Sequence, residues 1–347
     1  MKQNYIYSIA LVLMMLISTN TYAKSWRINS NASAGAKFAD INTAMNSEDV
    51  HNDDTLYLDP GTNISSQQTV SKRVTIIGTG YFHHQSQPYG FTKLSGGIVM
   101  KATKSKIEGV EINSGCTISA NNVTIERCFI NGIGISSNGT NCKNATIRNC
   151  LINTTNSYYF GISGQGDAST NTENWNIENN IITGGYNARI NALYSANILN
   201  NYLLSNTGYS DRYCVSSMNN CSIINNIMIN TTTRNNIFSN LSDCIIHNNV
   251  LSCNEGQHPN NKCLGSNDEA FIFRMTGNDD LKYRLCEESP AIGYATDGGD
   301  CGPYGSGYTY VPGGLPYGIP YYTESNIATM DQDGKLKVSL KIAINNE

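Results

Sequence analysis

Ile177-Glu178-Asn179-Asn180-Ile181-Ile182 is followed by Ile198-Leu199-Asn200-Asn201-Tyr202-Leu203, Ile223-Ile224-Asn225-Asn226-Ile227-Met228 and Ile246-His247-Asn248-Asn249-Val250-Leu251. Upstream, Ile125-Glu126-Arg127-Cys128-Phe129-Ile130 and Ile147-Arg148-Asn149-Cys150-Leu151-Ile152 keep the same frame, and Ile107-Glu108-Gly109-Val110-Glu111-Ile112 extends it. The leading Ile residues are spaced 18, 22, 30, 21, 25 and 23 positions apart. Periods of this size mark a solenoid. Each unit holds short β-branched stretches of period two broken by Asn or Gly, which is the signature of strands and tight turns. Leucine-rich spacing is absent. The pattern therefore predicts a parallel β-helix: two or three short strands per rung, with rungs stacked about 4.8 Å apart.

The Asn pair suits the sharp corner, because Asn enters the left-handed region at low cost. Equivalent Asn side chains then hydrogen-bond along the stack as a ladder, as in cross-β structure. Period two also sets facing. The leading Ile and the residue two before it (Val123, Ala145, Trp175, Ala196, Cys221, Cys244) are expected to point inward. The residue after the Ile points outward, giving Glu126, Arg148 and Glu178, then Leu199, Ile224 and His247. The second half of that column is apolar and calls for a covering loop or partner.

Composition agrees with such a corner-rich chain. The 347 residues include 47 Asn but only 14% charged residues, against about 25% in an average domain. A formal net charge of −4 with no Lys/Arg block argues against nucleic-acid binding. At the start, Met1 to Ala23 combines Lys2, the apolar run Ile6 to Ile17 and the small-x-small Thr21-Tyr22-Ala23, and reads as a secretory signal. The run is shorter than the roughly 20 residues a membrane span needs, and nothing later is long and apolar enough. The expected product is secreted or periplasmic, with cell-surface association open.

Three segments resemble one family. The first is Ser25-Trp26-Arg27-Ile28-Asn29, then Phe38 to Met45, then Asp54-Thr55-Leu56-Tyr57-Leu58-Asp59-Pro60-Gly61. The Ile-x-Asn-Asn rungs are the second. The third is Ser289-Pro290-Ala291-Ile292-Gly293 followed by Asp297-Gly298-Gly299-Asp300-Cys301-Gly302. Together they resemble secreted right-handed parallel β-helix proteins common in Bacteroidetes, related in fold to the pectin-lyase superfamily. The resemblance implies an all-β right-handed single-stranded solenoid whose open end is capped by a short amphipathic helix (Phe38, Ile41, Ala44, Met45). It is specific for fold and not for activity, since the fold hosts lyases, hydrolases and adhesins.

The expected organisation is a signal over 1–23, a cap and first strand over 24–60, the β-helix over 61–305 and a Gly/Pro/Tyr-rich segment with a closing strand over 306–347. Lys335 to Ile342 alternates like an edge strand, and 323–347 is expected to cover the last rung. Eleven Cys in an exported chain invite disulfides. Cys253 and Cys263 flank a polar loop and form the best pair, followed by Cys286 and Cys301. Cys128/Cys150 and Cys221/Cys244 share inward slots on adjacent rungs, as small buried hydrophobes or as pairs close enough to bridge. Zinc-type Cys/His spacing is missing, so no metal site is assigned. Asp279-Asp280 and Asp297 to Asp300 read as Ca²⁺ ligands or as turns.

A glycoside hydrolase needs two carboxylates across the scissile bond. From Ser105 to Glu255 there are only nine acidic residues and no Asp-Asp pair. A polyuronate lyase needs instead a base beside a neutralised carboxylate. Arg189, Arg212 and Arg234 follow their leading Ile by 12, 14 and 11 positions. Tyr186, Asn187, Tyr209, Asp211 and Tyr213 lie beside them, and the longest unit adds Tyr158, Tyr159, Asp167 and Glu173. Arg pairs bidentately with uronate or sulfate, and aromatic faces suit sugars; alternatively these Arg and Tyr solvate turn edges. The expectation is an exported protein that binds polysaccharide or cell-surface glycan without catalysis. One alternative is an anionic-glycan lyase using Arg189, Arg212 or Arg234, with Ca²⁺ as cofactor. The other is a structural or adhesive protein meeting a partner at Leu199-Ile224.

Overall fold

The computed structural model describes residues 23–81, 90–136, 142–154, 160–164, 172–184, 190–205, 213–231, 236–269, 272–277, 280–305, 307–318, 320–327 and 333–344. Three parallel sheets, here A, B and C, have ten, ten and eight strands and run the length of a β-helix. The chain visits A, then B, then C in each rung, as in Thr124–Glu126, Phe129–Ile130 and Ile133–Ile135. The leading Ile residues stack in register along sheet A, Ile107 on Ile125, Ile147, Ile177, Ile198, Ile223 and Ile246. Those up to Ile223 are fully buried, as are Val123, Ala145 and Trp175, while Ala196 and Cys221 are nearly so. Cys244 is half-buried because it sits on the terminal rung.

The corner pair divides its labour. The first member takes the left-handed conformation: Asn149, Asn179, Asn200, Asn225 and Asn248 have φ between 52° and 60°. The second builds the ladder. Asn180, Asn201, Asn226 and Asn249 each donate from Nδ2 to the Oδ1 of the next rung's Asn, at 2.9, 3.0, 3.0 and 2.8 Å. The same oxygens accept backbone N–H groups, for example Asn201 N–H to Asn226 Oδ1 at 2.8 Å. In the earlier rungs Cys150, Cys128 and Val110 occupy the ladder slot, and the thiols donate instead to carbonyls such as Arg148 O and Glu126 O. A second left-handed column stands three residues before each leading Ile. It comprises Lys104, Asn122, Asn144, Asn174, Ser195, Asn220 and Asp243.

The open end is closed by the helix Ile41–Asn46. Asp40 caps it by accepting from Thr43 N–H at 2.7 Å, and Ile41, Ala44 and Met45 are buried. Phe38 is buried beside them. Asn42 ties the helix to the first sheet C strand by accepting from Thr69 N–H at 2.8 Å. Among the described residues no helix is long and apolar enough to cross a membrane; residues 1–22, which hold nearly all of the expected signal, lie outside the described residues.

After the last rung the chain turns back and runs along the stack toward the N-terminal end. Asn248 Nδ2 donates to Tyr294 O, Gly302 N–H to Asn225 O, Asn179 Nδ2 to Pro303 O, and Tyr81 N–H to Gly313 O. This strap covers the outer side of sheet B, where Leu151, Ile181, Tyr202, Ile227 and Val250 pack with Ile272, Phe273, Tyr283, Ala291, Ala295, Cys301 and Tyr310. A solenoid face so apolar needs a cover. The strap's far end is locked by Tyr310, whose hydroxyl lies 2.6 Å from that of Tyr81 and donates to Asp280 Oδ2 at 3.0 Å. Gly314 fits there because a Cβ would lie 2.3 Å from the Tyr81 ring and 2.4 Å from Arg127 O.

The expected closing strand behaves differently. Val338–Ile344 pairs antiparallel with Pro320–Ile327 in a two-stranded sheet of its own, and neither strand joins a rung. The segment upstream binds the stack through side chains and isolated backbone bonds rather than as a strand, so the cover runs lengthwise over sheet B. Cys253 and Cys263 form a disulfide, with Cα atoms 5.0 Å apart. No disulfide joins Cys286 to Cys301.

Candidate functional site

The outer face of sheet A carries two rows of side chains, set by the outward positions flanking each leading Ile. One row reads Lys106, Thr124, Thr146, Asn176, Asn197 and Ser222 in register. The other reads Glu108, Glu126, Arg148, Glu178, Leu199 and Ile224. Asn197 Nδ2 donates to Asn176 Oδ1 at 2.9 Å, both side chains being exposed, so the amides are ordered along the stack rather than free rotors.

At the N-terminal half of these rows lies a compact ionic cluster. Lys106 Nζ reaches Glu108 Oε2 at 2.7 Å and Glu126 Oε2 at 2.9 Å. Arg127 Nη2 reaches the same two oxygens at 2.7 and 2.9 Å. Arg148 pairs with Glu126 Oε1. Arg127 stands at the corner where other rungs place Asn, with φ of 48°. Its side chain folds back over sheet A beneath Tyr317, 4.1 Å from the ring centre. Glu126 is thus on the outer face, as its position in the repeat requires, yet is 1% exposed. Burial opposes its ionisation, but Lys106, Arg127 and Arg148 hold its carboxyl below the ordinary range. A carboxylate fixed by three cations is not available as a base.

One rung further the surface opens. Tyr308, 53% exposed, lies over Arg148 with the guanidinium carbon 4.0 Å from its ring centre. Glu178 follows Arg148 in register and has no salt bridge among the described residues. Burial pushes its carboxyl above the ordinary range, Arg148 opposes this, and the Glu126 charge adds to it. The arrangement is therefore a pinned aromatic ring, a carboxyl that holds its proton more tightly than usual, and an ordered amide row. An exposed ring offers a stacking face and ordered amides offer hydrogen-bond donors and acceptors. Among the described residues of this face Glu178 is the one carboxyl outside the ionic cluster, and glycoside hydrolysis needs two.

Of the residues expected from sequence, Tyr213 is half-buried just before the sheet C strand Val215–Asn219. Glu173 is paired with Lys143. Tyr158, Tyr159, Asp167, Tyr186, Asn187, Arg189, Tyr209, Asp211, Arg212 and Arg234 lie outside the described residues. Leu199 and Ile224 are half-buried, with the strap turn alongside, where Thr296 N–H donates to Asn225 Oδ1 at 3.0 Å. Asp297 and Asp300 accept backbone N–H groups of Gly299 and Gly293, both at 3.0 Å, as turn residues do. Asp280 is engaged by Tyr310 and Gly313. Asp279 lies outside the described residues. The repeat frame does not point to Tyr308, since that residue belongs to the strap. No protein-family model matches this chain, and a search of curated proteins finds no match.

Proposed function

We propose that the chain is an exported protein of the right-handed, pectin-lyase-like type seen in Bacteroidetes, and that it binds polysaccharide or cell-surface glycan without turning it over. The observation that carries this reading is the solvent-facing ring of Tyr308, held on Arg148 beside the amide row of Asn176 and Asn197. Rung-spaced polar groups with a fixed aromatic edge suit an extended polymer lying along the stack. The locked state of Glu126 supports binding rather than catalysis, since among the described residues of this face it leaves no second carboxylate for acid–base chemistry.

The test uses the purified chain and a panel of neutral and uronate polysaccharides. Retardation in affinity gels measures binding, and absorbance of the unsaturated product, with and without Ca²⁺, measures lyase turnover. The expected result is retardation by at least one polysaccharide with no absorbance change. Unsaturated product would establish the lyase alternative that centres on Arg189, Arg212 or Arg234, and no retardation by any member would remove glycan binding.

A further inference from the structure

The terminal rungs bring together two cysteines that the glycan reading does not use. Ser222 pairs with Ile245 in sheet A, so the preceding residues, Cys221 and Cys244, stack on each other. Ile245 N–H donates to Cys221 O at 2.9 Å, which fixes the two backbones side by side. Adjacent strands lie about 4.8 Å apart, inside the roughly 4.4–6.8 Å of Cα separation that a disulfide spans. The Cys253–Cys263 bridge at the same end of the stack has its Cα atoms 5.0 Å apart. In the structure both are unbridged thiols, Cys221 Sγ donating to Asn219 O and Cys244 Sγ to Ser242 O, each at 3.3 Å.

Reactivity separates this pair from the other stacked pair. Cys128 and Cys150 also neighbour each other, one residue before the register pair Phe129 and Leu151, but both are fully buried. Burial pushes the Cys150 thiol up to about 12 and the Cys128 thiol well up. Cys244 is half-exposed, and the adjacent Cys221 side chain lowers its thiol to about 7. The Cys244 side chain and burial raise Cys221. One member is therefore a reachable thiolate and the other a buried resolving thiol.

We propose that Cys221 and Cys244 form a second disulfide, which staples the last strand of sheet A to the rung beneath it. The Cys244 thiolate attacks one sulfur of a small-molecule disulfide such as glutathione disulfide and expels one glutathione thiolate. Cys221 then gives up its proton and attacks the Cys244 sulfur of the mixed disulfide, expelling the second glutathione thiolate. Two protein thiols are oxidised, and one glutathione disulfide is reduced to two glutathione thiols. The product tethers Ile245–His247, the terminal strand of sheet A, whose Ile245 is 58% exposed. An unpaired edge of this kind invites misassembly. Cys253–Cys263 performs the matching service beside sheet B.

The experiment incubates the purified chain with glutathione disulfide, alkylates remaining thiols under denaturing conditions and maps peptides without reduction. The expected result is a linked peptide pair carrying Cys221 and Cys244, with a loss of two hydrogens, while Cys128 and Cys150 are recovered alkylated. The thermal midpoint rises on oxidation, and Cys244→Ser abolishes both the link and the rise while keeping Cys253–Cys263. Recovery of Cys221 and Cys244 as alkylated thiols in a sample whose Cys253–Cys263 bridge is formed would overturn the proposal. So would preferential linkage of Cys128 to Cys150.

Discussion

Asn201 and Asn226 are joined twice through one oxygen: Asn226 Oδ1 accepts the Asn201 backbone N–H at 2.8 Å and its Nδ2 at 3.0 Å. Asn201 Nδ2 also donates to Ile177 O at 2.8 Å, so one buried amide ties three successive rungs. Replacing Asn201 by Ala strands the Asn180 donors and a buried carbonyl. Unmade buried hydrogen bonds cost about 1–3 kcal/mol. Asn201→Ala is expected to lower the unfolding free energy by that order in urea denaturation. The neighbour answers to a different rule: Asn200, with φ of 55°, should tolerate Gly. Asn200→Val should destabilise, because a β-branched residue is strained there.

Arg127 is the cation most enclosed by the cluster, with its side chain 3% exposed. Removing one partner of a buried ionic group leaves uncompensated charge and typically costs 3–5 kcal/mol. Lys106 still faces both carboxylates, so Arg127→Ala should fall at the low end, about 3 kcal/mol. The check is chemical denaturation of both proteins at neutral pH. Equal stability would mean that Lys106 and Arg148 suffice.

Glu126 and Glu178, both on this face, should give opposite pH signatures. Glu126 has its folded value depressed, so its contribution is present above the unfolded value of about 4.3 and is lost as pH falls through the folded value. Glu178 has its folded value raised, so the folded state binds the extra proton and stability declines as pH climbs from about 4.3 through the raised value. Thermal midpoints across pH should therefore show Glu126→Gln below wild type at neutral pH. Glu178→Gln should stand above wild type at neutral pH, with its advantage vanishing in acid. The same sign for both variants would contradict the electrostatic assignment.

Tyr310 locks the strap through Tyr81 and Asp280. Tyr310→Phe deprives a carboxylate that is only 1% exposed of one donor. Amide exchange over 302–316 should accelerate, while the sheet A strands around Ile125 and Ile147 keep their protection. Unchanged exchange over the strap would show that sheet B contacts alone hold it.

Much of the stack was legible because it is periodic. The leading Ile column, the inward partners such as Trp175, and the Asn ladder all follow from one frame repeated at rung spacing. The strap was not legible, because its contacts join residues far apart without any repeat. Tyr310 and Tyr81 are 229 positions apart, and nothing local distinguishes strap from linker. The division of each Asn pair into a conformational and a hydrogen-bonding member was also hidden, since both members are the same residue. One signal was available: Glu126-Arg127-Cys128 places Arg where the frame carries Asn or Gly. An Arg held at φ of 48° marks a side chain needed elsewhere, here over Glu108 and Glu126. The Arg189, Arg212 and Arg234 column keeps its place in sequence only.

The proposed glycan binding along sheet A turns on Tyr308. The most direct measurement is the dissociation constant of the best-retained polysaccharide for wild type, Tyr308→Ala and Asn197→Ala. Tyr308→Ala is expected to weaken binding about tenfold or more, equivalent to about 1.4 kcal/mol, and Asn197→Ala to weaken it less, with thermal midpoints unchanged. Wild-type affinity in Tyr308→Ala would contradict the proposed binding.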